Sequence, residues 1–170
     1  MPDLFGMLTT VKQLQEGDYA ECGFYRGASA MIIYAQLAPG AIFHIFDSFE
    51  GHAEPGEYDN AAAHPKGAYS DTSVIVARAC CPTAEIHEGF IPAKFHEVRD
   101  RRFRFVNIDV DHYAPTKASI EFFLPRLVPG GIMRFDDYCD PAGCPGAVKA
   151  VNELIPREKL EQSDWMFVNA

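Results

Sequence analysis

Short apolar runs alternate along the chain with stretches of helical spacing, separated by polar or glycine-bearing joints. "YAECGF" (19 to 24) reads as a strand; glycine-bearing "YRGAS" follows, and "SAMIIYAQLA" suits a helix. "AIFHIFDS" (41 to 48) is a second strand, and "GHAEPGEYDNAAAHPKGAYS" (51 to 70) a long loop of Gly, Pro, Ala and polar residues. Loops of that length inside a compact domain are uncommon and often functional. "DTSVIVARAC" predicts a helix with Ser70 or Asp71 as its N-cap. "AEIHEGF", "FRFVNIDV" and "GGIMRFDD" are a third, fourth and fifth strand. Between the last two lies "APTKASIEFFLPRLVPGG", helical from about Thr116 and stopped by Pro-Gly-Gly. A loop, "YCDPAGCPG", a helix, "AVKAVNELI", and a closing strand in "DWMFVNA" complete the pattern.

Strands alternating with helices imply right-handed crossovers. The predicted fold is α/β: a doubly wound, mostly parallel sheet with helices on both faces, in one domain over residues 1–170. "FRFVNI" lacks clean period-two alternation, as expected of a strand buried on both faces.

Composition narrows the partners. The formal net charge of −9 argues against a nucleic-acid backbone or an anionic membrane as partner. The one basic run, "RDRRFR" from Arg99 to Arg104, reads as a solvated link ahead of a strand. No apolar run approaches the roughly 18 to 20 residues that span a bilayer, and the start carries no signal-peptide pattern. Five cysteines without CxxC spacing argue against a disulfide framework or structural zinc, and fit free thiols in a reducing cytoplasm.

In an open α/β sheet, ligands bind beyond the carboxyl ends of the strands. The polar residues there are Glu21 and Gly23, Asp47 and Ser48, Glu88 and Gly89, Asp109 and Asp111, and Asp136 and Asp137. "ECGFYRGAS" runs a strand through a glycine turn into a helix, whose N-terminus offers unpaired N–H groups to a ligand. An acid at the end of the next strand, here Asp47, suits ribose hydroxyls, so the pair reads as an adenosine-type cofactor site. Four carboxylates at two strand ends would repel one another unless a cation neutralised them. Oxygen-only ligands suit a hard ion such as Mg²⁺. This cation would acidify a substrate hydroxyl for a neighbouring carboxylate to deprotonate. His112 and Tyr113 follow the acid pair within reach of a substrate, though a loop histidine is more often solvated; His52 and His64 read as surface positions of the long loop, with lid contacts as the alternative, and Cys139 and Cys144 as too few soft ligands for a metal. Ser70 has no His–Asp partner, so a serine nucleophile lacks support.

"ECGFYRGASA", "FDSFEG", "NIDVDHYAPTKASIEFFLPRLVPGG", "FDDY" and "CPGAVKAVNEL", in that order from about residue 17 to residue 155, resemble the macrocin O-methyltransferase family (TylF/MycF type). The resemblance implies a class I S-adenosylmethionine-dependent methyltransferase whose Mg²⁺-assisted chemistry acts on sugar hydroxyls of natural products. The cofactor's methionine part would lie along Glu21, Gly23, Tyr25, Arg26, Gly27 and Ser29. Asp47 would hold the ribose, Ser48 and Phe49 would lie near the adenosine, and Gly89 and Phe90 would border the adenine. Asp109, Asp136 and Asp137 match the family's metal positions, with Asp109 also bordering the cofactor, and Asp111 matches its proposed general base.

Implied partners are a small-molecule hydroxyl acceptor and a second copy of the chain in a homodimer. The resemblance also marks the chain as abbreviated at both ends. About 17 residues precede the first strand, and one strand closes the chain where the class usually places a hairpin. His112 stands where the family commonly has an aliphatic residue. Two other readings compete: Asp109-Val110-Asp111 as the DxD motif of a nucleotide-sugar glycosyltransferase, and a cofactor-binding relative without turnover.

Overall fold

The computed structural model describes residues 4–161 and 166–168. Five parallel strands, β1 (Asp18–Cys22), β2 (Phe43–Asp47), β3 (Glu85–Glu88), β4 (Phe103–Ile108) and β5 (Leu127–Phe135), carry the sheet. β6 (Leu160–Glu161) and β7 (Met166–Val168) add an antiparallel edge, giving the order β3-β2-β1-β4-β5-β7-β6. α1 (Leu4–Val11), α2 (Ala28–Ala35) and α3 (Val74–Cys80) cover one face through Leu8, Val11, Ile33 and Ala77, packed on Tyr19, Ile45, Phe105 and Ile132. α4 (Tyr113–Phe123) and α5 (Pro145–Leu154) cover the other through Ile120, Phe123 and Val151, packed on Phe46, Val106, Ile108 and Met133. All six residues of β4 are buried, which is why its sequence shows no alternation. The doubly wound α/β fold is borne out. Among the described residues, no helix is long and apolar enough to cross a membrane.

Several local expectations need correction. Asp71 and Ser70 do not cap α3; the Ser73 hydroxyl accepts the Val76 N–H at 3.3 Å, and Asp71 pairs instead with Arg26. α4 begins at Tyr113, ahead of Thr116, because Asp59 reaches over from the long loop and its Oδ1 accepts the Tyr113 N–H at 2.7 Å. That carboxylate neutralises an unpaired donor and sits at the positive end of the helix dipole. A helix, α1, precedes the first strand, and the closing strand has a partner in β6, so an antiparallel pair stands where one strand was expected.

Arg104 is not solvated. It is 4% exposed, and its guanidinium donates to the carbonyls of Gly17 (2.6 Å) and Leu14 (3.0 Å). It thereby ties the chain leaving α1 to the centre of the sheet. The four arginines of this run look alike in sequence. Arg104 lies within β4 and turns inward, while Arg101, ahead of the strand, pairs with Asp18 at the sheet margin.

Candidate active site

The strand order reverses between β1 and β4, and their carboxyl ends open a cavity of about 500 Å³. Gly23 fixes how closely the two ends approach. Its φ is +91°, and a Cβ there would run into the backbone oxygen of Asp109, so glycine is required on two counts. Asp47 holds the turn that follows. Its Oδ2 accepts the N–H groups of Phe24 (2.6 Å) and Tyr25 (3.4 Å), and its Oδ1 accepts that of Phe49 (2.6 Å). Tyr25, Tyr69 and Asp111, all lining the cavity, have left-handed φ values of 47°, 64° and 58°. Such backbone strain in non-glycine residues persists where the surroundings over-determine it, and it clusters at functional sites.

Beneath the cavity a polar rung crosses three strands. Register places Glu21, Asn107 and Arg134 side by side. Asn107 Nδ2 donates to Glu21 Oε1 (2.9 Å), and Arg134 Nη1 donates to Asn107 Oδ1 (2.8 Å). Arg134 also pairs with Asp136, fixing one of the four acids from below. Burial pushes the fully enclosed Glu21 up to about 7, against the pull of Ser29, Asn107 and Arg134. Among the described residues its buried Oε2 has no hydrogen-bond partner within ordinary geometry.

The four aspartates do converge. One carboxylate oxygen each from Asp109, Asp136 and Asp137 lies within 4.8 Å of the others. Burial, and then the charges of Asp137, Asp136, Glu21 and Asp111, raise the Asp109 carboxyl well above the usual range. Burial and the Asp111 charge likewise push Asp137 up to about 7, although its Oδ2 accepts the N–H groups of Val110 (3.1 Å) and Asp111 (2.8 Å). Asp136 has Arg134 as its partner, whereas the raised carboxyls of Asp109 and Asp137 are the signs of a pair lacking a counter-charge. An all-oxygen donor set of this kind fits Mg²⁺.

Asp111 behaves differently. Burial works to raise its carboxyl, but the hydrogen bond from His52 and the charges of His64 and His52 outweigh it and hold the group below the usual range. His52 Nε2 lies 2.9 Å from Oδ2, while His64 Nδ1 and Cys144 Sγ each lie 3.4 Å from Oδ1. His112, 4% exposed, turns its Nε2 to the His64 carbonyl (3.0 Å) and packs its ring 4.4 Å from that of His52. Of the two readings of these loop histidines, solvated positions fail and contacts at the site hold: His52, His64 and His112 enclose Asp111. The long loop is docked by Asp59 on α4 and by Asn60 on the Ala142 carbonyl (3.0 Å), which places His52, Asp59 and Tyr69 in the cavity wall. The sequence signal was present only as an excess of histidine in that loop and beside Asp111.

A family described as a methyltransferase domain matches residues 20–138. The chain belongs to that family. In sequence the chain is 28% identical over 152 residues to a Streptomyces olivaceus protein, 8-demethyl-8-(2,3-dimethoxy-alpha-L-rhamnosyl)-tetracenomycin-C 4'-O-methyltransferase. That alignment takes in 78% of this chain and 56% of the relative, so the chain spans little more than half of the curated relative's length. The fold is that of the calicheamicin methyltransferase CalS11, with a TM-score of 0.78 at 22% identity over 94% of this chain and 72% of the other. It is also that of the O-methyltransferase NovP, with a TM-score of 0.71 at 21% identity over 88% and 69%. Membership of the class I methyltransferases is thus borne out, and the glycosyltransferase reading of Asp109-Val110-Asp111 falls.

Of the residues expected to serve this methyltransferase domain, Gly23, Tyr25, Asp47, Ser48, Phe90, Asp109, Asp111, Asp136 and Asp137 line the cavity. The others stand behind or beside it. Glu21 and Ser29 meet within the sheet-to-helix turn, and Gly27 caps α2 in a left-handed conformation. Arg26 faces solvent and pairs with Asp71. Phe49 packs on Phe24 with ring centroids 6.1 Å apart, and the Gly89 N–H donates to the Asp47 carbonyl at 2.9 Å.

Proposed function

We propose that the chain is an O-methyltransferase that moves a methyl group from S-adenosylmethionine to a hydroxyl of a sugar or natural-product glycoside, with Mg²⁺ as its metal. One observation carries this reading: three converging carboxylates, Asp109, Asp136 and Asp137, share a cavity with a glycine turn organised by Asp47. The rhamnosyl methyltransferase named above supports the acceptor class.

In this reading S-adenosylmethionine supplies an electrophilic methyl group, and Mg²⁺ held by Asp109, Asp136 and Asp137 lowers the pKa of an acceptor hydroxyl. The chain's own work is positional and acid–base. The turn from Gly23 to Ser29 seats the methionine part, and Asp47 holds the ribose with Ser48 and Phe49 beside the adenosine. Gly89 and Phe90 border the adenine. Asp111 takes the hydroxyl proton, with His52 and His64 fixing its two oxygens, so the base and the acceptor meet in one orientation. The docked loop excludes water from that meeting.

The test is mass spectrometry of a panel of rhamnosylated and other glycosides incubated with S-adenosylmethionine. A single methyl gain that disappears in EDTA and returns with Mg²⁺ is expected. A chain that binds S-adenosylhomocysteine yet methylates none of the panel would favour a binding protein without turnover.

A further inference from the structure

Five of the six histidines fall into two clusters, and the second has no part in the reaction above. It lies on the β2–β3 edge, on the face covered by the 3-10 segment Phe95–Val98. Register places His44 opposite Glu85 and Phe46 opposite His87. Opposed residues of a parallel pair, and residues two apart on one strand, share a face. His44, Glu85 and His87 therefore project together. His44 Nδ1 lies 3.1 Å from His87 Nε2 and 3.4 Å from Glu85 Oε2. The outer nitrogens each meet a carboxylate: His87 Nδ1 is 2.6 Å from Glu97 Oε2, and His44 Nε2 is 3.5 Å from Asp18 Oδ2.

Proton bookkeeping does not close for two neutral imidazoles. A Glu97 carboxylate can only accept, so its 2.6 Å contact places the single N–H of a neutral His87 at Nδ1. Nε2 is then a lone pair, and the 3.1 Å contact places the only N–H of His44 at Nδ1. His44 Nε2 is left as a bare acceptor facing the Asp18 carboxylate at 3.5 Å, buried and without a hydrogen-bond partner among the described residues. A cation between the inner nitrogens resolves every contact. The N–H of His44 moves to Nε2 and points at Asp18, both inner lone pairs face the ion, and Glu85 supplies an oxygen. Bonds of about 2.0–2.1 Å at tetrahedral angles set neighbouring ligand atoms about 3.3 Å apart. The observed 3.1 and 3.4 Å bracket that spacing.

We propose that His44, Glu85 and His87 form a binding site for a borderline divalent transition ion of the Zn²⁺ class, with Glu97 and Asp18 orienting the two imidazoles from behind. Two imidazoles and a carboxylate are a zinc donor set rather than a magnesium one, and backing carboxylates are a regular feature of histidine–zinc sites. Glu85, 54% exposed at its side chain, opens the site to solvent and leaves room for a fourth ligand from water. The ion would pin β3, the sheet's edge strand, to β2.

Co²⁺ is the probe. The untagged chain, stripped with EDTA and held in saturating Mg²⁺, is titrated with Co²⁺ while its visible d–d bands are recorded, with Zn²⁺ added in competition. One equivalent of Co²⁺ displaced by Zn²⁺ is expected. Glu85→Gln, a change at the surface that spares the core, should weaken binding at least tenfold. Glu97→Gln should weaken it about 10–100-fold, and His52→Ala, in the other cluster, should leave it unchanged. Absence of d–d bands in the wild-type chain overturns the proposal. So does Co²⁺ binding that survives Glu85→Gln and is lost in His52→Ala.

Discussion

Asp137→Asn should stabilise the metal-free protein at alkaline pH, although it removes a residue proposed to hold the metal. Asp137 is 8% exposed, and burial with the Asp111 charge carries its carboxyl from the ordinary 3.8 to about 7. Below about pH 4 both folded and unfolded chains hold the proton and the group has no effect. Between there and about 7 the unfolded chain ionises while the folded one does not, so stability falls as pH rises. Above that window the full penalty stands, about 4 kcal/mol at 1.36 kcal/mol per pH unit. Asparagine removes the charge but accepts less strongly from the Val110 and Asp111 N–H groups, which leaves a net gain of roughly 2 kcal/mol. For a domain of this size that is roughly 4–8 °C in Tm. Thermal unfolding in EDTA at pH 5 and pH 8 reads it directly. The variant should melt higher than wild type at pH 8, the gap should shrink at pH 5, and Mg²⁺ should raise the wild-type Tm alone. A variant no more stable than wild type at pH 8 would refute the claim that these carboxylates are frustrated without a cation.

Asp111→Asn should lower kcat about 10²–10⁴-fold, the usual contribution of a general base, with S-adenosylhomocysteine affinity by calorimetry nearly unchanged. Gly23→Ala should lose about 1–3 kcal/mol of stability from its positive φ alone, and cofactor affinity as well, because the new Cβ forces β1 away from Asp109; chemical denaturation and calorimetry check both. Arg134→Met should cost about 1–3 kcal/mol by leaving the buried Asn107 Oδ1 without its donor and Asp136 without its partner, measured by urea unfolding.

The strand-and-helix alternation was legible because parallel strands buried on both faces leave unbroken apolar runs, and "FRFVNI" is such a run with every residue buried. The four aspartates were legible because the fold rule that gathers strand ends needs no distances. What the sequence hid depends on contacts across long separations. Asp59 and Tyr113 meet over 54 residues to start α4 early, and His52 reaches Asp111 over 59. Arg104 looked solvated because a basic run does not reveal which of its members the pleat turns inward. Ser73 rather than Asp71 caps α3 because Asp71 is drawn to Arg26, a partner that local spacing does not show.

Anomalous diffraction from crystals grown with S-adenosylhomocysteine and Mn²⁺ tests the central claim most directly, because it locates the ion. The account predicts a peak bound jointly by Asp109, Asp136 and Asp137 at about 2.1 Å, beside the cofactor's sulfur. Saturating Mn²⁺ with the cofactor product bound and no peak at those three carboxylates would contradict it.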